Sequence, residues 1–153
     1  MLIPAVLSTL ALTQPQPGSV ADMAERPLWR IAEQGRTLAA VDRAPAVATP
    51  SGPVDITFWL YLEDNSGYDS MASAITVDCA TRTFAHRSFA GFRGQDFLGS
   101  AEALDTSSTT AEPDTYYGAM LSHVCDPSPD RERPADYENF RAIGASRAAR
   151  PPA

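Results

Sequence analysis

Lysine is absent from this 153-residue sequence, so every basic side chain is an arginine. Twelve arginines stand against nineteen aspartates and glutamates, and the formal net charge is −7. Nucleic-acid binding requires a clustered positive field, and the arginines form no dense patch along the chain. We therefore expect no nucleic-acid partner.

The apolar run at residues 1–13 is shorter than the about 20 residues that a bilayer-spanning helix requires. It has instead the length of the hydrophobic region of a signal peptide. Ala11 and Thr13 are small residues in the positions that precede a cleavage site, whereas no basic residue precedes Arg26. We expect residues 1–13 to be a signal peptide, with no membrane span and a periplasmic or secreted product.

Motifs that indicate a reaction are missing as well. No Gly-x-Ser-x-Gly nucleophile elbow occurs, and a triple such as Ser88, His123 and Asp114 is one of many that could be named. His86 and His123 are the only histidines. Their spacing from the two cysteines does not fit the close ligand pairs of a zinc site. We therefore expect no catalytic residues, no metal and no cofactor.

Only two cysteines are present. Cys79 ends an alternating, strand-like run at 74–79, and Cys125 ends a helix-like run at 116–125. An even number of cysteines behind an apolar N-terminus predicts one disulfide, formed in an oxidising compartment and joining a strand to a helix. A cytoplasmic domain with two free thiols is the alternative.

Alternation of apolar and polar residues predicts an antiparallel sheet of about five strands. The clearest strand is 54–62, where the Phe58 stripe lies on one face and Trp59 and Tyr61 lie on the other. We expect this second pair to be covered by the helix or by another strand. The other predicted strands are 28–32, 37–42, 73–84, 87–92 and 95–98. Phe84 falls on the face opposite Cys79, which a bulge near Ala80 or a twist of the strand would explain.

Pro113 and Asp114 suit the start of a helix that ends at Cys125, before a proline-containing segment. The predicted fold class is therefore α+β, an antiparallel β-sheet packed against a C-terminal α-helix with one strand-to-helix disulfide. We divide the chain into the signal peptide, a flexible linker at 14–27, a domain at 28–126, and a flexible C-terminal tail at 127–153 with a loose helical turn at 136–141.

Several short motifs resemble the bacterial surface-adhesin E-like domain over residues 28–126. They are Trp29 with Ile31, Phe58-Trp59, Val77-Asp78-Cys79 with Arg82, and Val124-Cys125 at the end of the helix after Pro113. The resemblance implies an antiparallel sheet packed on a C-terminal helix, with the two cysteines paired. It also implies a surface role, since some members bind host extracellular-matrix proteins and those are typically lipid-anchored. Here the cysteine for lipidation and the aromatic residue expected before Pro113 are missing.

Together these patterns predict an exported, non-enzymatic envelope or surface protein that binds a macromolecular partner, such as a host or envelope protein. A periplasmic enzyme or enzyme inhibitor is the alternative. Tyr68, Arg93 and Phe97 form the candidate binding surface, because aromatic and arginine side chains in loops dominate recognition.

Overall fold

The alternating segments fold into one antiparallel sheet of seven strands, flanked by two helices, in a computed structural model that describes residues 23–62, 67–129 and 133–148. The strands are β1 (Trp29–Gln34), β2 (Thr37–Val41), β3 (Val54–Leu62), β4 (Ser70–Asp78), β5 (Thr83–Arg93), β6 (Asp96–Glu102) and β7 (Thr109–Thr110). The helices are α1 (Tyr116–Cys125) and α2 (Phe140–Ala148). The predicted α+β class is confirmed, whereas the signal peptide at 1–13 lies outside the described residues.

Each strand from β1 to β6 pairs with the next one along the chain, and the short β7 pairs with β5 beyond the end of β6. A turn at Gly35, which has a φ of 59°, joins β1 to β2 as a hairpin. The predicted strand at 54–62 is confirmed to the residue by β3. Such a meander brings sequence neighbours together with short connections.

The single strand predicted at 73–84, with a bulge near Ala80, is wrong. The chain reverses there, because β4 ends at Asp78 and β5 begins at Thr83. The Asp78 carboxylate accepts a hydrogen bond from the Ala80 amide at 2.9 Å, and Arg82 takes a left-handed φ of 52°. The side-chain alternation is therefore reset by a turn, which explains why Phe84 shares a face with the core.

The first face of the sheet is the face that α1 covers. Thr115 caps this helix, since its hydroxyl accepts the Gly118 amide proton at 3.1 Å. The helix packs Met120, Leu121 and Val124 onto the sheet. The sheet residues in this core include Val41, Val54, Ile56, Phe58, Ile75, Val77 and Phe84.

The second face is covered by α2 and by residues that precede β1. Trp59 is 1 % exposed and its ring stacks on Phe140, with ring centroids 4.5 Å apart. Tyr61 is half-buried against the same core. These two aromatic side chains are therefore covered, as predicted, but the cover is α2, within the predicted tail, and not α1 or another strand.

Parts of the two segments predicted to be flexible belong to this second core. Phe140 and Ile143, within the predicted tail at 127–153, are 4 % and 1 % exposed. Met23, within the predicted linker at 14–27, is 5 % exposed, and Arg26 pairs with Asp42 at 2.7 Å. These residues are ordered because a sheet with apolar side chains on both faces needs a cover on both.

The two edges of the sheet differ. The outer edge of β1 is covered, since Leu28 and Tyr137 form a bridge and the Arg30 amide donates to the Asp136 carboxylate at 2.8 Å. At the opposite edge, none of the described strands pairs with the outer side of β6. Among the described residues, neither helix combines the length and the apolar character needed to cross a bilayer.

Candidate functional site

The predicted disulfide is confirmed. Cys79, in the turn after β4, is bonded to Cys125 at the end of α1, and their Cα atoms are 5.3 Å apart. An ion pair reinforces the junction, because the Arg82 guanidinium donates to the Asp126 carboxylate at 2.6 Å. That hydrogen bond lowers the pKa of Asp126. The disulfide therefore fixes the C-terminal end of α1 to one end of the sheet.

The candidate binding residues lie at the opposite end of β4 and β5. Arg93 ends β5 and donates to the Gly67 carbonyl, which places its guanidinium beside the loop that carries Tyr68. Phe97 pairs with Phe92 in the sheet register, and the two ring centroids are 5.7 Å apart. Because Phe92 belongs to the second-face core, Phe97 lies on that face.

Tyr68 lies on the other side, where it lines an open groove of about 370 Å³ on the first face, beyond the area that α1 covers. The sheet register places Met71, Gly91 and Gly99 side by side in this groove. The remaining lining residues are Phe89, Ala90, Ser100 and Ala101. The structure thus places Tyr68 and Phe97 on opposite faces of the same sheet end.

Exposed apolar side chains concentrate along the β6 edge of the sheet. Of the described residues, five large hydrophobic side chains are exposed, and four of them lie on β6 or beside it. They are Tyr68 (36 % exposed), Phe97 (51 %), Leu98 (53 %) and Leu104 (107 %). Leu104 follows β6 and lies beside the middle of β5, because its neighbour Ala103 donates to the Arg87 carbonyl. We call the other three residues and the groove the open sheet end. Sequence reasoning missed Leu98 and Leu104, although the run Phe97-Leu98 in a predicted edge strand was a usable signal.

A second, polar cleft of about 440 Å³ lies at the C-terminal end of α1. Arg30, His123 and Arg133 are among its lining residues. The Nε2 atom of His123 is 2.8 Å from the Arg43 carbonyl. Because a carbonyl only accepts, this nitrogen carries the proton and the ring fastens the loop after β2 to the helix. Burial lowers the pKa of His123, so the imidazole is neutral near pH 7.

The charged groups around this cleft are also engaged in pairs. Arg30 pairs with Glu33 at 3.1 Å, and Arg133 pairs with Asp136 at 2.9 Å. The Arg133 guanidinium also donates to the Arg30 carbonyl at 3.3 Å. The cleft therefore has the interactions of a structural junction between β1, α1 and the segment before α2.

His86 lies on the first face, where three aromatic rings surround it. The centroids of Phe84, Phe89 and Tyr117 are 5.5, 4.8 and 5.5 Å from that of His86. Burial lowers the pKa of His86. Within the part of the chain that the structure describes, no three His, Cys, Asp or Glu side chains are placed to hold a metal ion.

The structure does not bring together the triple Ser88, His123 and Asp114. Asp114 and His123 flank opposite ends of α1, a helix of 10 residues, which is about 15 Å long. Ser88 pairs with Ala74 on β4 and so belongs to the second face, away from that helix. A relay of protons among these three side chains is therefore geometrically excluded.

No protein-family model, no curated protein and no solved structure matches this chain. The resemblance to surface-adhesin E-like domains stays a prediction.

Proposed function

We propose that this chain is an exported, non-enzymatic envelope or surface protein that binds another protein through its open sheet end. The observation that carries the proposal is the concentration of exposed apolar side chains there, with Phe97 and Leu98 each about half exposed. Clusters of exposed apolar side chains mark interaction sites. Aromatic side chains such as Tyr68 and Phe97 supply much of the binding energy at such sites.

Two observations support export. The disulfide between Cys79 and Cys125 uses both cysteines, and such bonds persist in oxidising compartments. The apolar run at residues 1–13 has signal-peptide character. The resemblance to adhesin E-like domains agrees with a surface role. Intact-mass measurement on protein from the native host tests export, with cleavage near Thr13 expected. A full-length chain in the cytoplasmic fraction would contradict it.

A periplasmic enzyme or inhibitor is the second candidate, because the cleft beside His123 gathers several ionisable groups. We rank it second, since His123 is bonded to the Arg43 carbonyl and the two nearby arginines are paired with carboxylates. Recognition at this cleft and recognition at the open sheet end can be told apart by one experiment.

That experiment places a photo-crosslinking amino acid at one position at a time in the native host. Position Phe97 reports on the open sheet end, and Pro127 reports on the cleft. Gln34, which is exposed at the hairpin of β1 and β2 and lines neither site, is the matched control. We expect a protein adduct of defined mass from position 97 and none from position 34. Adducts from position 127 alone would favour the second candidate.

The purified partner then allows a quantitative test. Tyr68→Ala and Phe97→Ala should each weaken binding at least tenfold, because each removes exposed apolar area that the partner covers. Their melting temperatures should stay close to that of the parent, since neither side chain belongs to the two buried cores. Unchanged binding by both folded variants would remove the open sheet end as the binding surface.

A further inference from the structure

The outer edge of β6 presents backbone groups that have no strand beside them in the described chain. The Ala103 amide donates to the Arg87 carbonyl of β5 at 2.8 Å. Because the direction of hydrogen bonding alternates along an antiparallel strand, the amide of Ala101 also faces β5. The amides of Ser100 and Glu102 therefore face outward, where an added strand would find them.

The groove of the open sheet end lies directly beside this edge. Its floor contains Gly91 and Gly99, which carry no side chains and are adjacent in the register. Tyr68 and Phe89 provide aromatic walls. In a strand added to β6, every second side chain would project over the first face of the sheet, where the groove lies. The aliphatic part of a long side chain fits such a slot, and the aromatic rings favour a cationic end.

The edge is also strongly acidic. Residues 96–105 contain no basic side chain and three exposed carboxylates, Asp96, Glu102 and Asp105. The two arginines of the neighbouring strand reach away from β6, since Arg87 donates to Thr76 on β4 and Arg93 donates to the Gly67 carbonyl. The field at the edge therefore favours a positively charged occupant.

The same charges disfavour a second copy of the chain as the occupant. If β6 paired antiparallel with itself about Gly99, Asp96 of one copy would lie opposite Glu102 of the other. Like charges in that position destabilise a pair of strands. The edge is thus suited to a partner with the opposite charge.

We propose that β6 binds an extended, basic and apolar segment of the partner as an added strand, with a long side chain of that segment in the groove. This proposal rests on the proposed function, and it names the chemistry of the segment recognised. Main-chain hydrogen bonds to the outward groups of Ser100 and Glu102 would supply affinity, and the groove and the carboxylates would supply specificity.

The test uses a capped nine-residue peptide that alternates arginine and valine, and calorimetry or fluorescence anisotropy at physiological salt. We expect a dissociation constant on the order of 100 µM. Gly91→Val should fill the groove without strain, because a Cβ there meets nothing within 4 Å. Ser100→Pro should remove an outward amide, which an edge strand tolerates. Each variant should bind at least tenfold more weakly.

Gly52→Val is the matched control, since Gly52 lies far from β6 and a Cβ there also meets nothing within 4 Å. It should bind like the parent, and a peptide with glutamate in place of arginine should not bind. If Ser100→Pro lowers the melting temperature, Gly91→Val alone decides the question.

Three outcomes would overturn the proposal. Equal binding by all variants would show attraction to the net negative charge alone. Self-association of the parent that Gly91→Val abolishes would identify a second copy as the occupant. Failure of the peptide to bind, with a partner crosslinked from Phe97, would reject strand addition and leave the proposed function standing.

Discussion

Breaking the bond between Cys79 and Cys125 should remove about 4 kcal/mol from the free energy of unfolding. The two residues are 46 positions apart, and constraining a loop of that length in the unfolded chain is worth about 4 kcal/mol in the chain-entropy model. Domains of this size are stable by about 5–15 kcal/mol. The disulfide therefore contributes a large fraction of the free energy of unfolding.

Two perturbations separate the crosslink from the packing of the sulfur atoms. Reduction of the parent breaks the bond but keeps both sulfur atoms in the core, where Cys79 is 6 % and Cys125 is 1 % exposed. The double variant Cys79→Ala/Cys125→Ala removes the sulfur atoms as well. The nearby Arg82–Asp126 pair is about half exposed, so it contributes little in place of the bond.

Thermal melts followed by circular dichroism, with and without reductant, measure the effect. For a chain of this length each kcal/mol shifts the melting temperature by about 2–4 °C, so the reduced parent should melt about 8–16 °C lower. The double alanine variant should melt at least as low and should not respond to reductant. A parent shown by mass spectrometry to be fully reduced, yet melting within about 2 °C of the oxidised protein, would refute the reasoning.

Three further predictions concern the rest of the fold. Gly118→Ala should lower the free energy of unfolding by about 2 kcal/mol or more, because the added Cβ would clash with backbone atoms of residues 112 and 113. Its control is Gly144→Ala in α2, where the added Cβ meets nothing within 4 Å and should raise the free energy of unfolding by about 0.5–1 kcal/mol. Urea unfolding measures both variants. Phe140→Ala should cost about 3–5 kcal/mol and shift the fluorescence of the tryptophan beneath it to the red; unchanged stability would show that α2 contributes no packing. Burial lowers the pKa values of His86 and His123, so the unfolded chain binds more protons than the folded one. Stability should therefore fall as the pH drops below the ordinary histidine pKa of about 6.5. His86→Phe should make the melting temperature fall less steeply between pH 7.5 and 5, and an unaltered slope would contradict the prediction.

The strand β3 was predictable to the residue, because side chains of both faces alternate there without interruption and Pro53 precedes it. The turn after β4 was not, since Cys79-Ala80-Thr81-Arg82 contains none of the glycine, proline or asparagine that usually marks a reversal. Tertiary contacts hold it instead. The Asp78 side chain closes the turn, and Arg82 reaches Asp126 at the end of α1.

The helix α2 was hidden by its composition. Among the residues of α2 whose burial is described, Phe140 and Ile143 are the buried large side chains. Two apolar residues three apart are a weak helical signal in a segment rich in charge and alanine. What orders the helix is Trp59, a partner more than 80 positions away. Likewise, Tyr68 and Phe97 could be selected as exposed aromatic residues, but their placement on opposite faces follows from the register of β4, β5 and β6.

Magnitudes indicate how a partner must bind at the open sheet end. Fully burying an exposed apolar side chain contributes about 1.5–3 kcal/mol. Completing the burial of Phe97 and Leu98 would contribute less for each, because both are already about half covered. Association itself costs about 4–15 kcal/mol, so these apolar contacts alone give little or no net affinity. Hydrogen bonds to the outward groups of Ser100 and Glu102 add about 0.5–1.5 kcal/mol each. A single added strand should therefore bind weakly. A tight complex requires a partner that pairs with β6, fills the groove on the first face and covers Phe97 on the second.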